Sequence, residues 1–341
     1  MTRLKVWIGT ALLLIVTLVV FIFANTSQDE IDEEERLIVV SPHPTEFIIP
    51  LIQEFENETG ISATIINSGT TDAISEIITN DDIDVLWGGS VLAVGSYKDY
   101  FYPYNTLNKA VFKEKCKDVG DEITCFSDVP SILMVNNDLA GNIEINGYED
   151  LLDERLSGRI AMADPSKSSS SFEQLVNMLY AMGNGNPDNG WNFVNKFVKQ
   201  LDGNLLTGSS QVYEGVANGK YVVGLTFEEA AVTMLKNDKH ISVVYMEEGV
   251  VSTPDGIYIN KNTKRLNNAE RFVDFMTSKD VQIVMESDLG RRSVRKDVEA
   301  SKMVIADDEI NSIEVDGNEV IACKKDWTER FLEMYEEESN D

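Results

Sequence analysis

Histidine, cysteine and basic side chains are scarce in this chain of 341 residues. It holds two histidines and three cysteines, and 29 lysines and arginines stand against 58 aspartates and glutamates, which gives a formal net charge of −29. Because so acidic a surface repels nucleic acid, we expect no nucleic-acid partner. The sequence has no Cys-x-x-Cys pair and no cluster of cysteine and histidine, so it predicts neither a metal site nor a cofactor.

Two of the cysteines are close enough in sequence for a local disulfide. Cys116 and Cys125 are nine residues apart across a turn-rich stretch. A disulfide between them is one interpretation, since such bonds form outside the cell. Two unpaired thiols are the other interpretation, and the spacing alone does not separate the two.

Sequence motifs for catalysis and nucleotide binding are missing as well. The stretch Gly88-Gly89-Ser90-Val91-Leu92 lacks the last glycine of Gly-x-Ser-x-Gly, and the sequence contains no P-loop, Rossmann fingerprint or His-Glu-x-x-His. We therefore expect that the protein is not an enzyme.

The clearest local signal lies at the N-terminus. Arg3 and Lys5 precede residues 6–24, which carry no charge, and residues 28–36 form an acidic linker. This charge asymmetry predicts that the N-terminus stays on the inner side of the cell membrane and that the rest of the chain lies outside the cell. Residues 1–27 are long enough for an uncleaved anchor at the extracellular face of the cell membrane. Cleavage as a signal peptide, followed by secretion, is the alternative.

The remaining chain alternates between strand and helix patterns. Residues 37–90 predict strand, helix, strand, helix, strand, and a second series of this kind begins near residue 131. The pattern predicts an α/β fold with parallel strands covered by helices. We expect two lobes joined by a two-segment hinge: residues 37–130 and 250–341 form lobe 1, and residues 131–249 form lobe 2.

A run of serines is the first candidate for ligand binding. Ser168, Ser169 and Ser170 precede a predicted helix, and Lys167 is the nearby cation. A helix N-terminus presents free amides and the positive end of the helix dipole, so it favours an anion. Capping of the helix is the competing interpretation, but four consecutive serines exceed what a cap needs.

Further candidates also stand where strands end, which is where ligands bind in open α/β sheets. Thr70 and Thr71 begin another helix, with capping as the alternative role. Gly89 and Ser90 follow the third strand, and a glycine lets backbone amides approach a ligand closely.

His43 ends the first strand, and Ser41 and Thr45 flank it. We expect His43 and the serine run to face each other across the cleft, with a neutral imidazole donating to a phosphate or a sugar hydroxyl. The alternative is a turn histidine bonded to the backbone.

Charged residues complete the list of candidates. Glu228, with Glu229 as its alternative, and Asp255 can accept hydrogen bonds from sugar hydroxyls. Arg291 and Arg292 are expected to pair with surface carboxylates rather than with the ligand.

Five short stretches, in this order and spacing, resemble the solute-binding proteins of ABC transporters. They are Val39-Val40-Ser41-Pro42-His43-Pro44-Thr45, Ala163-Asp164-Pro165 with its serine run, Thr226-Phe227-Glu228, Pro254-Asp255-Gly256-Ile257-Tyr258 and Gly290-Arg291-Arg292-Ser293-Val294-Arg295. The resemblance implies two lobes, a hinge and a ligand held in the cleft without chemistry. Within the branch of ferric-iron, phosphonate and sugar-phosphate binders, the serine run and the Ser-x-His-Pro stretch look most like the sugar-phosphate binders. The adjacent tyrosines of the iron binders are absent.

The resemblance also implies a function and its partners. We expect an extracytoplasmic protein, monomeric in its ectodomain, that captures a small anionic organic solute such as a sugar phosphate for an ABC permease. The alternatives are a membrane-anchored sensor subunit acting with a histidine kinase, or a binder of ferric iron or a phosphonate.

Overall fold

The computed structural model describes residues 36–117, 119–203 and 205–339. The predicted anchor at residues 1–27, and the linker up to residue 35, lie outside these ranges. Among the described residues, no helix combines the length and the apolar character needed to cross a membrane.

The strands of the described chain form one ten-stranded sheet. They are β1 (Arg36–Ser41), β2 (Ser62–Asn67), β3 (Val85–Ser90), β4 (Thr124–Asn136), β5 (Ile160–Ala163), β6 (Leu205–Leu206), β7 (Val223–Phe227), β8 (Ile241–Val244), β9 (Ser252–Ile259) and β10 (Arg292–Ser293). Their order is β2-β1-β3-β9-β4-β7-β5-β6, and both β8 and β10 pair with β4.

The helices lie between these strands. They are α1 (Thr45–Thr59), α2 (Thr70–Thr79), α3 (Val91–Val94), α4 (Asn137–Ala140), α5 (Ser169–Met182), α6 (Pro187–Leu201), α7 (Ser209–Ala217), α8 (Glu228–Lys236), α9 (Leu266–Met276), α10 (Lys279–Val284) and α11 (Gly317–Ser339). Short 3₁₀ turns occur at Gly95–Tyr100, Lys109–Val111, Glu114–Cys116, Glu149–Leu152, Glu154–Leu156 and Asp307–Glu309, and one π-helical turn lies at Met285–Leu289.

The long strand β4 joins two lobes. Residues 124–130 pair antiparallel with β9, whereas residues 131–136 pair antiparallel with β7 and β8. The first lobe is built on β9 and the parallel strands β1, β2 and β3, and the second lobe is built on the parallel strands β5, β6 and β7. The predicted two-lobe α/β fold is confirmed.

The aromatic core of the first lobe lies directly behind the end of β3. Trp87 is fully buried, and the ring centroids of Phe126 and Phe272 each lie 5.5 Å from its ring. Gly88, Gly89 and Ser90 follow immediately, so the chain passes from a rigid core into the interlobe region within three residues.

The C-terminal helix α11 contacts both lobes. The guanidinium of Arg330 lies 4.2 Å from the ring centroid of Trp191 on α6, in the second lobe. The ammonium of Lys324 donates to the carbonyl oxygen of Ala93 on α3, in the first lobe, at 2.6 Å.

Candidate functional site

A cavity of about 300 Å³ lies between the lobes. Segments from both lobes form its walls, and most of them are strand ends and helix starts. The lining residues are Pro42, His43, Pro44, Asn67, Ser68, Gly69, Thr70, Gly89, Ser90, Val129, Lys167, Ser168, Ser169, Ser170, Glu173, Thr207, Gly208, Ser209, Ser210, Tyr213, Phe227, Thr253, Asp255 and Arg291.

Four helices begin at this cavity without a side-chain cap. The residues at the N-caps of α1, α2, α5 and α7 are Pro44, Gly69, Ser168 and Gly208, and none of their side chains accepts a hydrogen bond from a backbone amide of its helix. Amide donors in the first turns are therefore available to a ligand. Together with the dipoles of four helices they favour negative charge in the cavity.

Hydroxyl groups surround these helix starts. We call this set the hydroxyl wall; it comprises Thr70, Ser168, Ser169, Ser170, Thr207, Ser209 and Ser210. Thr70 of the first lobe donates to the Ser169 hydroxyl of the second lobe at 3.1 Å, and Ser168 and Ser170 share a hydrogen bond of 3.1 Å. Serines 168–170 thus bond to one another and across the lobes, and they do not cap α5.

A buried arginine dominates another part of the cavity. The Arg291 side chain is only 3 % exposed; it donates to Glu229 through Nε at 3.1 Å and to Asp255 through Nη1 at 2.9 Å. Its guanidinium lies 4.7 Å from the ring centroid of Phe47. Burial raises the pKa of Asp255, and Arg291 opposes that change. We call His43, Asp255 and Arg291 the arginine wall.

Arg291 and Arg292 pair with carboxylates, as expected, but only Asp307 among their four partners lies at the surface. Both side chains are buried, and they have different partners: Arg291, just before β10, binds Glu229 and Asp255 beside the cavity. Arg292 binds Glu228 and Asp307, away from the cavity. The predicted site residue Glu228 therefore lies outside the lining, and it also accepts a hydrogen bond from Tyr245.

His43 lines the cavity but is almost fully buried. Its ring centroid lies 4.9 Å from that of Phe47 and 5.3 Å from that of Trp87. Its Nδ1 lies 3.4 Å from Arg291 Nη1. Burial and Arg291 lower the pKa of His43 well below its usual range, so the ring is neutral. Its Nε2 has no hydrogen-bond partner among the described residues and abuts Gly88, where a Cβ atom would come within 2.7 Å.

Glu173 lines the cavity and was absent from the sequence predictions. It accepts hydrogen bonds from the hydroxyls of Ser90 and Thr253, which belong to the other side of the cleft. Burial raises its pKa to about 7, although Lys324 on α11 acts in the opposite sense. Glu173 stands four residues after Ser169, hence on the same helix face, and that spacing is the signal that could have identified it.

Three predicted residues have other surroundings. Ser41 is buried and donates to the carbonyl oxygen of Trp87 at 2.7 Å. Thr71 donates to the carbonyl oxygen of Ser166 at 2.8 Å, which joins the lobes beside the cavity rather than in its lining. Thr45 is exposed at the start of α1 and is likewise not a lining residue.

Of the two interpretations of Cys116 and Cys125, the structure agrees with unpaired thiols. Cys116 and Cys125 are free, buried thiols, and a hydrogen bond with Cys116, together with burial, raises the pKa of the Cys125 thiol above its usual range. Both side chains belong to the apolar core. Within residues 36–117, 119–203 and 205–339, no group of three or more His, Cys, Asp or Glu residues is arranged to hold a metal ion.

Known proteins share this architecture. The structure of the periplasmic binding protein AfuA from Actinobacillus pleuropneumoniae, with exogenous fructose-6-phosphate bound, superposes with a TM-score of 0.81 and 19 % identity, over 88 % of this chain and 98 % of that one. A two-component system protein that mediates signal transduction superposes with a TM-score of 0.72 and 28 % identity, over 88 % of this chain and 99 % of that one.

The sequence itself also matches known proteins. An uncharacterized protein of Haemophilus influenzae is 26 % identical over 141 residues, which make up 40 % of this chain; the match spans 38 % of the length of that curated relative. The sequence model of the bacterial extracellular solute-binding proteins matches residues 50–312, most of the described chain. Proteins of this family bind solutes outside the cytoplasm and are not enzymes. The chain belongs to the bacterial extracellular solute-binding protein family.

Proposed function

We propose that this protein captures a small anionic organic solute, a phosphorylated sugar, and delivers it to an ABC permease. The observation that carries the proposal is the convergence of four uncapped helix N-termini on one cavity. Amide and hydroxyl donors there match the oxygens of a phosphate group. Glu173 and Asp255, in the same lining, supply the acceptors that sugar hydroxyls need.

The charges near the cavity favour binding of the phosphate by hydrogen bonds rather than by an unpaired cationic side chain. Arg291 is already paired with two carboxylates. Lys167 is 59 % exposed and pairs with Asp164 at 3.3 Å. The phosphate would therefore be held mainly by amides and hydroxyls, which suits a group that must be released again.

The lobes and the N-terminus are part of the same proposal. Lobe 1 would comprise residues 37–130 and 250–341, lobe 2 would comprise residues 131–249, and the lobes would close around the solute by a hinge motion. Residues 6–24 would remain attached as an anchor at the outer face of the membrane, with a monomeric ectodomain.

Thermal unfolding of the full chain with and without ligand tests this function. Glucose 6-phosphate should raise the melting temperature where glucose does not, and saturation at a hundred times the dissociation constant adds about 2.7 kcal/mol. Equal shifts by both sugars would refute phosphate recognition. A shift with ferric iron alone would assign the protein to the iron binders instead.

A sensory role is the second candidate, because one similar structure, at 28 % identity, is that of a two-component system protein. In that case the partner would be a histidine kinase. Crosslinking of the full chain in its native membrane, with and without glucose 6-phosphate, distinguishes the roles: ligand-dependent crosslinks to permease subunits support transport, and crosslinks to a kinase support sensing.

A further inference from the structure

A second cavity, of about 350 Å³, adjoins the first one. The two share Pro44, Tyr213 and Phe227 as lining residues. The N-terminal turn of α1 contributes from the first lobe, and α7 and α8 contribute from the second lobe. A solute held in the first cavity can therefore extend into the second without leaving the cleft.

The shared part of the lining is aromatic. The ring centroids of Tyr213 and Phe227 lie 6.3 Å apart in an edge-to-face arrangement, and each residue is 9 % exposed. Met234 and Leu289 add further apolar surface. Such a lining suits a group with an apolar shell.

The charge around this lining is negative. Glu46 and Glu214 are exposed and form no ion pair or side-chain hydrogen bond with any residue that the structure describes. Glu46, Glu214 and Glu229 line the cavity together with Tyr213. Burial, followed by the charges of these carboxylates, raises the pKa of Tyr213 to about 12. Lys236 is the lining cation, and its ammonium donates to the carbonyl oxygen of Asp288.

Aromatic faces together with unpaired carboxylates attract a particular kind of ligand. A metal ion needs several converging oxygen ligands, and the described residues offer no such group. An anion would meet repulsion from Glu46 and Glu214. An organic ammonium group is attracted by the carboxylates and by aromatic rings, while its methyl or methylene groups fill apolar space.

We propose that the second cavity binds an organic ammonium group and that the solute is a zwitterion, with its phosphate in the first cavity and its ammonium in the second. The phosphate half of this assignment rests on the proposed function, whereas the ammonium half rests on the second cavity alone. Because both lobes line the second cavity, an ammonium group bound there also favours the closed arrangement.

Calorimetric titration of the full chain with three probes tests the proposal: phosphocholine, glycerol 3-phosphate, which lacks the ammonium, and choline, which lacks the phosphate. Phosphocholine should bind about tenfold more tightly than glycerol 3-phosphate. The double substitution E46Q/E214Q should remove that preference and leave the affinity for glycerol 3-phosphate within about twofold. Glu54→Gln is the matched control: Glu54 is exposed on α1 outside both linings, and its loss should change neither affinity.

Each outcome separates the two claims. If both phosphates bind equally well and E46Q/E214Q weakens neither selectively, the ammonium site is refuted and the proposed function stands. If only choline binds, and E46Q/E214Q abolishes its binding, the ammonium site stands and its pairing with a phosphate in the first cavity is refuted. If none of the three probes binds, the ammonium site is refuted, and the comparison of glucose 6-phosphate with glucose decides the proposed function by itself. The melting temperatures of the ligand-free variants verify that the exposed substitutions leave folding intact.

Discussion

The hydroxyl wall and the arginine wall of the first cavity handle charge in opposite ways. At the hydroxyl wall, amides, hydroxyls and helix dipoles face the cavity, and the nearby cation, Lys167, is largely exposed. At the arginine wall, a buried cation lies between two carboxylates before any ligand arrives. The difference indicates that the hydroxyl wall can receive a negatively charged group. At the arginine wall, the charge of Arg291 is already neutralised by Glu229 and Asp255.

The largest effect should come from breaking the arginine wall. Arg291→Met leaves Glu229 and Asp255 buried without their cation, so the free energy of unfolding should fall by about 3–5 kcal/mol. Urea unfolding of the ligand-free chain measures it. Arg155→Met is the control: Arg155 is half exposed, its partner is Asp153, and we expect no measurable change. Equal stability of the two variants would mean that the Arg291 network is dispensable for folding.

Glu173, between the walls, should make stability depend on pH. Its pKa is about 7 in the folded chain, against about 4.5 unfolded, so the folded state keeps a proton that the unfolded state loses. This contribution is therefore greatest below about pH 4.5 and declines as the pH rises to about 7, by about 3 kcal/mol.

The substitution Glu173→Gln should abolish that decline, because the amide keeps a hydrogen-bonding group without a titrating proton. Urea unfolding at pH 5, 6, 7 and 8 should give converging curves for the wild type and the variant at low pH and a more stable variant at pH 8. Glu144→Gln, at an exposed position, serves as the control. Parallel curves for the wild type and Glu173→Gln would contradict the raised pKa.

At the hydroxyl wall we expect loss of affinity without loss of stability. Ser169→Ala should weaken the binding of glucose 6-phosphate by about tenfold or more, since a hydrogen bond to a charged group contributes about 1.5–3 kcal/mol. The adjacent Ser171 is the matched contrast, because it is buried and donates to the carbonyl oxygen of Ala163. Ser171→Ala should cost about 1 kcal/mol of stability and leave affinity unchanged. Titration calorimetry and thermal unfolding of both variants measure the two effects. A Ser169→Ala variant that loses stability but keeps its affinity would contradict the prediction.

The smallest effect should come from Lys167. Lys167→Gln should weaken glucose 6-phosphate binding by only about two- to threefold, because the ammonium is exposed and already paired with Asp164. Titration at low and high salt measures this contribution. A tenfold loss that disappears at high salt would mean that a side-chain cation, rather than amides and hydroxyls, holds the phosphate.

The sequence predicts the fold well where periodicity is strong, as in the alternation of strands and helices over residues 37–90. The length of β4 is not evident from the sequence, in which the second series begins near residue 131. Residues 124–130 also belong to the strand and pair with β9, but Ser127, Asp128 and Pro130 interrupt their apolar pattern. The local pattern of apolar residues does not show which distant strand will form the backbone hydrogen bonds of such a segment.

In the candidate site too, residues marked by a local sequence feature could be predicted, whereas residues that depend on distant partners could not. Serines 168–170 were identified because a helix start is a local feature. Arg291, Glu173 and the burial of His43 depend on partners that are distant in sequence; Glu229, for example, lies 62 residues from Arg291. In a chain with 58 acidic residues, no pattern marks which carboxylate an arginine will meet.

Contacts of helix α11 contribute to the equilibrium between open and closed lobes, although α11 does not line the solute cavity. Any movement that separates the lobes must pull α11 away from one of them: either Lys324 and Ile321 leave Ala93 and Gly95 of the first lobe, or Arg330 leaves Trp191 of the second lobe. These contacts favour the closed population before binding. The measured dissociation constant is the intrinsic one divided by that closed fraction. Ile321→Ala should therefore change the affinity for every solute by one common factor and leave the ranking among solutes unchanged.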